Sequence, residues 1–139
     1  IMFYTGVSRN SSDISNKQEK NTLSKMDFLR KMKSLAIEMK ECLLNEDLDK
    51  IGSILHENWI LKKQLADGIS DSTIDYYYNK SLEAGALGGK ILGAGGGGFL
   101  LFYCDERKRD NLREALKLRE FPFKFEQQGS KIIFVEENE

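Results

Sequence analysis

Between Gly93 and Gly98 five of six residues are glycine, and apolar runs stand on either side, Ile91-Leu92 before and Phe99-Leu100-Leu101-Phe102 after. No other feature restricts the fold of this chain as strongly. Glycine loses more backbone freedom on folding than any other residue, so a plain turn seldom carries five. Short apolar runs bounded by turn signals read as buried strands. The stretch therefore predicts a strand over 86–92, a tight loop, and a strand over 98–104. Without Cβ atoms, successive backbone N–H groups can converge on one point, and such a concavity binds anions, phosphate above all. A purely structural hairpin that lets backbones pass closely is the plain alternative; the lysine at position 90 and the strands in register favour the phosphate reading.

Three phosphate motifs fail here. Gly93, Gly95 and Gly98 satisfy G-x-G-x-x-G, but that fingerprint needs a helix after the glycines, and the apolar run that follows reads as a strand. Lys90 follows Gly89 as in a Walker A loop, yet Ala84 replaces its first glycine and Ile91 its hydroxyl residue. The glycine-rich loop of protein kinases does lie between strands, but its companion motifs V-A-I-K, H-R-D and D-F-G do not occur in the chain.

A fourth pattern fits. Lys90-Ile91-Leu92-Gly93-Ala94-Gly95-Gly96-Gly97-Gly98-Phe99 resembles the third signature motif of the GHMP small-molecule kinases, the superfamily of galactokinase, homoserine kinase and mevalonate kinase. Gly85-Ala86, Gly88-Gly89-Lys90, the segment from Leu55-His56-Glu57 through Trp59 to Lys62-Lys63, and Tyr4-Thr5-Gly6 with Ser8-Arg9 look most like the branch that phosphorylates D-glycero-D-manno-heptose 7-phosphate. The resemblance runs from Tyr4 to about Tyr103. It implies an α+β fold with a ferredoxin-like antiparallel sheet, helices packed on one face and additional N-terminal helices. It also implies ATP and Mg²⁺ as cofactors of a longer enzyme and a small sugar-phosphate substrate. The family's glycine- and serine-rich phosphate loop, of the form P-x-x-x-G-L-G-S-S-A, is not in this sequence, and neither is the segment that supplies a carboxylate base. With the abrupt start Ile1-Met2-Phe3-Tyr4, which reads as an internal strand, residues 1–139 are expected to form the C-terminal domain of a longer kinase. Its partner would be its own N-terminal domain, and the fragment alone is expected to be inert.

Composition sets outer bounds. The length suits one domain, and 40% hydrophobic residues can build a core. The formal net charge of −1 leaves no basic excess for a nucleic acid backbone. No apolar stretch is long enough to span a bilayer, and the first ten residues do not read as a secretory signal. Cys42 and Cys104 show no metal-ligand spacing and read as reduced thiols of a cytoplasmic protein.

Residues 1–5 read as a strand and residues 6–21 as a polar, mobile loop. From Thr22 a helical stripe of Leu29, Met32, Ala36, Met39 and Leu43 appears, widened by Met26 and Leu35 and capped by Thr22 or Ser24. A second helix begins near Asn45, with Leu48, Ile51, Leu55 and Trp59 inward, and stops at Asp67-Gly68. A third follows Ser70 or Asp71, with Ile74, Tyr77, Tyr78 and Leu82 inward. Asp105 caps a fourth through about Lys117, with Leu112, Ala115 and Leu116 inward. Phe121, Phe123 and Phe125 alternate with Pro122, Lys124 and Glu126, predicting an edge strand that turns back into Ile132-Ile133-Phe134-Val135.

The candidate cofactor-binding set is Lys90 with the backbone of Gly93, Ala94, Gly95, Gly96, Gly97 and Gly98. Lys90 either snorkels between apolar neighbours or meets the loop or a phosphate. Valine at Gly96 or Gly97 is expected to lower activity with little change in fold. Ser8, Arg9, Trp59 and Lys63 are candidate substrate contacts, Arg9 because arginine grips phosphate bidentately. His56, the one histidine, reads as a structural residue. A stand-alone ferredoxin-like module binding a small metabolite is the reading from another class. Sugar, hydroxyl, base and oligomeric state stay open.

Overall fold

The computed structural model describes residues 1–7, 10–126 and 128–133. Four antiparallel strands form one sheet: β1 (Met2–Tyr4), β2 (Ala86–Ile91), β3 (Phe99–Cys104) and β4 (Arg119–Glu120), in the order β2-β3-β1-β4. Helices α1 (Ser11–Lys20), α2 (Met26–Leu44), α3 (Asp49–Lys63) and α4 (Ser72–Glu83) fall between β1 and β2, and α5 (Arg109–Leu116) between β3 and β4. β3 thus lies between β1 and β2, the split arrangement of a ferredoxin-like fold, here enlarged by extra helices in its first crossover.

The register aligns the core. Leu100 faces Ile91 on one side and Phe3 on the other, and Phe102 faces Gly89. Phe3, Ile91 and Leu100 have no exposed surface. Trp59 from α3, Tyr78 from α4 and Leu112 from α5 close over them. Asp71 caps α4, its carboxylate accepting from the amides of Thr73 at 3.0 Å and Ile74 at 2.9 Å.

The structure corrects several sequence expectations. Neither Thr22 nor Ser24 caps α2, which starts after Lys25 without a side-chain cap, and Leu48 is exposed. Residues 11–20 are a helix and not a loop. The Asn10 side chain caps it, accepting from Ser12 N at 3.1 Å, and Ile14 anchors it in the core. One buried apolar residue leaves no periodic stripe to read, so tertiary contact decides the conformation. On α2 Leu29 and Met32 pack against the main core and Met39 beside the buried Leu35 and Cys42, as the stripe implied, while Ala36 and Leu43 are exposed. Leu35 and Cys42 stand one heptad apart, the spacing of a helix that meets mainly one other helix, here Ile54 of α3. Asp105 caps a 3-10 turn, Glu106–Lys108, and α5 starts only at Arg109. The sheet's last strand is Arg119–Glu120, and residues 121–126 are not a strand. The ring of Phe121 is taken up by edge contacts with Tyr4 and Phe99, whereas Phe125, Ile132 and Ile133 are exposed. Phe134 and Val135 lie outside the described residues.

α3 lies along β2 with its backbone nearly touching the strand. A Cβ on Gly88 would sit 1.9 Å from the carbonyl oxygen of Gly52. Overpacking at such a point costs about 1–3 kcal/mol or more. Gly88→Ala is therefore expected to lower the denaturant midpoint by an amount equivalent to at least about 2 kcal/mol; an unchanged midpoint would contradict this close approach.

Candidate functional site: the glycine loop and its lysines

The loop leaves β2 at Leu92, whose amide donates to Phe99 O at 2.8 Å and closes the hairpin. Inside that closure the loop is tied down from three directions. Gly96 N donates to Ile69 O, and Gly98 N to Val7 O, each at 2.8 Å. Gly98 O accepts from Thr5 N at 2.9 Å and from Thr5 Oγ1 at 3.0 Å. Ala94 O accepts from Gln18 Nε2 of α1 at 3.1 Å, and Gly93 O accepts from Lys62 Nζ of α3.

These bonds narrow the donor set. Gly96 and Gly98 use their amides within the fold, and Gly96 and Gly97 are buried. Among the described residues the amides of Gly93, Ala94 and Gly95 have no partner, and these residues are exposed or half-buried. The peptide bond is trans and planar, so each N–H points opposite to the preceding C=O. With Gly93 O held by Lys62 the amide of Ala94 faces away from that lysine, and with Ala94 O held by Gln18 the amide of Gly95 faces away from that glutamine. The expectation for Gly97 also changes. A Cβ there would lie 2.7 Å from Val7 O, so valine at 97 disturbs the fold as well as the loop.

Two lysines line the inner side. Asn58 and Lys62, one turn apart on α3, meet Lys90 and Gly93 at the exit of β2. Lys90 Nζ donates to Asn58 Oδ1 at 2.7 Å. Lys62 is buried, 7% exposed. Burial, and then the charge of Lys90, pull its ammonium down to about 8. Burial also lowers Lys90. Neither has a carboxylate partner among the described residues. The sequence offers Lys62 together with Glu57, Trp59 and Lys63 as residues that reach a substrate pocket or a solvated face, without separating it from Lys63. The available signal was its spacing, since Ile51, Leu55, Trp59 and Lys62 fall on one helical stripe, where a lysine must bury its stem.

The other candidates lie elsewhere. Lys63 points to α4, bonded to Asp75 Oδ1 at 3.1 Å and 5.7 Å from the Trp59 ring centroid. Trp59 has no exposed surface and packs on Tyr78, so it is a core residue and not a substrate contact in this structure. His56 meets the Tyr78 hydroxyl through Nδ1 at 2.7 Å, a structural role, and burial pushes that phenol up to about 12. Ser8 and Arg9 lie outside the described residues. Cys42 is buried, Cys104 half-buried, and both are free thiols. Among the described residues no three His, Cys, Asp or Glu side chains converge as a metal site. Among the described residues the loop is bordered by the ammonium groups of Lys62 and Lys90 and by no carboxylate. A concavity of about 280 Å³ by β4, lined by Ile1, Arg109 and Phe121 among others, lies at the sheet edge opposite β2 and shares no residue with the loop.

The site therefore sits on an α+β domain whose antiparallel sheet carries a glycine-rich loop between its edge strand β2 and the neighbouring β3. A family model described as "GHMP kinases C terminal" matches residues 39–122, and the chain belongs to that family. It is 32% identical over 120 residues to the D-glycero-alpha-D-manno-heptose 7-phosphate kinase of Campylobacter jejuni, covering 84% of this chain and 35% of that protein. To the bifunctional fucokinase/GDP-fucose pyrophosphorylase of Arabidopsis thaliana it is 30% identical over 122 residues, covering 84% of the chain and 12% of that protein. The crystal structure of L. major mevalonate kinase in complex with R-mevalonate superposes with a TM-score of 0.72 at 22% identity, over 84% of this chain and 36% of that one. That likeness establishes the fold. The chain spans about a third of the heptose kinase's length. No helix among the described residues is long and apolar enough to cross a membrane.

The lysine site makes a pH prediction. Lys62 titrates near 8 when folded and near 10.4 when unfolded. Its destabilising cost is fully present below pH 8. Between the two values the unfolded chain binds more protons, so stability rises with pH. Relative to Lys62→Met, the native chain is expected to gain stability between pH 8 and pH 10; denaturant melts at both pH values check this, and parallel curves would refute it.

Proposed function

We propose that this chain is the C-terminal part of an ATP-dependent sugar-phosphate kinase, acting on a heptose 7-phosphate, whose N-terminal domain supplies the main phosphate loop, Mg²⁺ ligands and any base. The observation that carries the reading is the loop itself: among the described residues the amides of Gly93, Ala94 and Gly95 have no partner, while the carbonyls of Gly93 and Ala94 and the amides of Gly96 and Gly98 are fastened to the fold. Phosphoryl transfer needs positioning and charge stabilisation more than covalent chemistry from the protein, and fixed amides cost no reorganisation when charge develops. The similarity to a heptose 7-phosphate kinase over 84% of the chain supports the substrate class. Matches that cover only part of longer kinases favour this reading over a stand-alone module. Two free thiols fit a cytoplasmic protein.

The test is a coupled assay with ATP, Mg²⁺ and a panel of sugars and sugar phosphates, on the protein that carries this chain behind its kinase N-terminal domain. ATP turnover dependent on a heptose 7-phosphate is the expected result. Turnover on none of the panel would reject the function, and activity of residues 1–139 alone would reject the division of labour. Gly96 has φ +74, a region in which a β-branched residue is strained. By shifting the loop that carries the neighbouring Gly95 amide, Gly96→Val is expected to lower kcat/KM by about a hundredfold, the scale of losing one preorganised donor.

A further inference from the structure

The two lysines inside the loop are not accounted for by the loop amides. Lys90 Nζ and Asn58 Oδ1 share a 2.7 Å bond, and both residues stand at one end of a groove of about 180 Å³ between α2 and α3. Its walls include Leu35, Met39, Ile54 and Leu55. With its oxygen turned to Lys90, Asn58 keeps its Nδ2 donors without a partner among the described residues. Lys62 lies one turn further along α3, close enough for Lys90 to repel its charge. Buried charges are ordinarily paired. Here, among the described residues, two neighbouring ammonium groups meet only neutral oxygens, Gly93 O and Asn58 Oδ1. The nearby lysine outside the cluster, Lys63, has its carboxylate in Asp75.

We propose that Lys90 and Asn58 Nδ2, backed by the charge of Lys62, form a phosphoryl-binding site at the mouth of the α2–α3 groove, separate from the loop amides. It rests on the reading that this domain handles phosphorylated ligands, and it adds a place for a second phosphoryl group. The amide of Ala94 faces away from Lys62, so an anion seated on that amide does not engage Lys62. Two sites suit a reaction in which both reactants carry phosphate: one group on the nucleotide, one already on the substrate. The apolar groove walls accommodate the carbon skeleton of a phosphate monoester.

The experiment uses the 139-residue chain with its lysines ¹³C-dimethylated, followed by NMR; the Lys62, Lys63 and Lys90 signals are assigned from Lys→Arg variants. Inorganic phosphate, glucose 6-phosphate and ATP without Mg²⁺ are titrated separately. Saturable movement of the Lys90 and Lys62 signals, with Lys63 stationary, is expected for at least one ligand. Lys90→Gln weakens that binding about tenfold or more, the scale of one charge-assisted hydrogen bond, and Lys90→Arg retains it within a few-fold. Tighter saturation by glucose 6-phosphate assigns the site to the sugar phosphate, and tighter saturation by ATP assigns it to the nucleotide. Movement that is linear, shared equally with Lys63, or unchanged in Lys90→Gln overturns the proposal. A protein that remains a sugar-phosphate kinase with such a result loses only this site, whereas saturable binding in a protein without kinase activity rejects the proposed function alone.

Discussion

The approach of α3 to β2 governs the geometry of everything near the glycine loop. A Cβ on Gly52 would lie 2.4 Å from Leu87 Cβ, and one on Gly88 would lie 1.9 Å from Gly52 O. Only glycine at both positions lets the helix backbone lie directly on the strand. Four residues of helix advance about 6 Å, and three residues of extended chain advance about 10 Å. Asn58 and Lys62 can match Lys90 and Gly93 along two such different spacings because the lysine side chains make up the difference. A helix held further out by ordinary side chains would put Lys62 beyond reach of Gly93 O and leave the start of the loop unfastened.

That placement has an electrostatic consequence. Lys62 and Lys63 are adjacent in sequence yet live in different surroundings. Lys63 rests near the Trp59 ring with the Asp75 carboxylate beside it, and Ser70 Oγ donates to the same carboxylate at 2.9 Å. Lys62 points inward to a carbonyl, loses water, and feels Lys90. Helical rotation of 100° per residue is enough to separate an ordinary ion pair from a strained ammonium. The strained member touches the loop, where perturbed titration is characteristic of functional sites.

The parts of this chain written in local chemistry were legible. The hairpin around the glycines, the Asp71 cap and the close of α4 before Gly85 follow from residues adjacent in sequence. The features that escaped reading depend on distant partners. Helix α1 has one buried apolar residue, Ile14, and its other links are polar: Gln18 to Ala94 O, and Asn21, just past its end, to Leu65 O. No window of sequence contains those acceptors. The alternation of Phe121, Phe123 and Phe125 promised a strand, but period-2 patterning specifies only that one face is apolar; Phe123 and Phe125 pair with each other edge to face, and no strand forms. For the site, the glycine run marked the loop, while the choice of Lys62 over Lys63 needed the helix phase relative to β2. Ser8 and Arg9 lie outside the described residues.

The division of labour within the loop follows from peptide geometry. Side chains from two helices take the carbonyls of Gly93 and Ala94, and the main chain beyond β1 and after α3 takes the amides of Gly98 and Gly96. Fixing one carbonyl fixes the plane of its peptide and hence the direction of the next N–H. The loop's flexible composition is thereby converted into a rigid arrangement: glycine permits the path, and Gln18 and Lys62 choose which way its donors face. This is why polar residues on helices, unremarkable in a sequence window, decide whether a glycine run presents amides to a ligand or wastes them on solvent at random. The first half of the loop is thus held by its carbonyls, and the second half by the amides of Gly96 and Gly98.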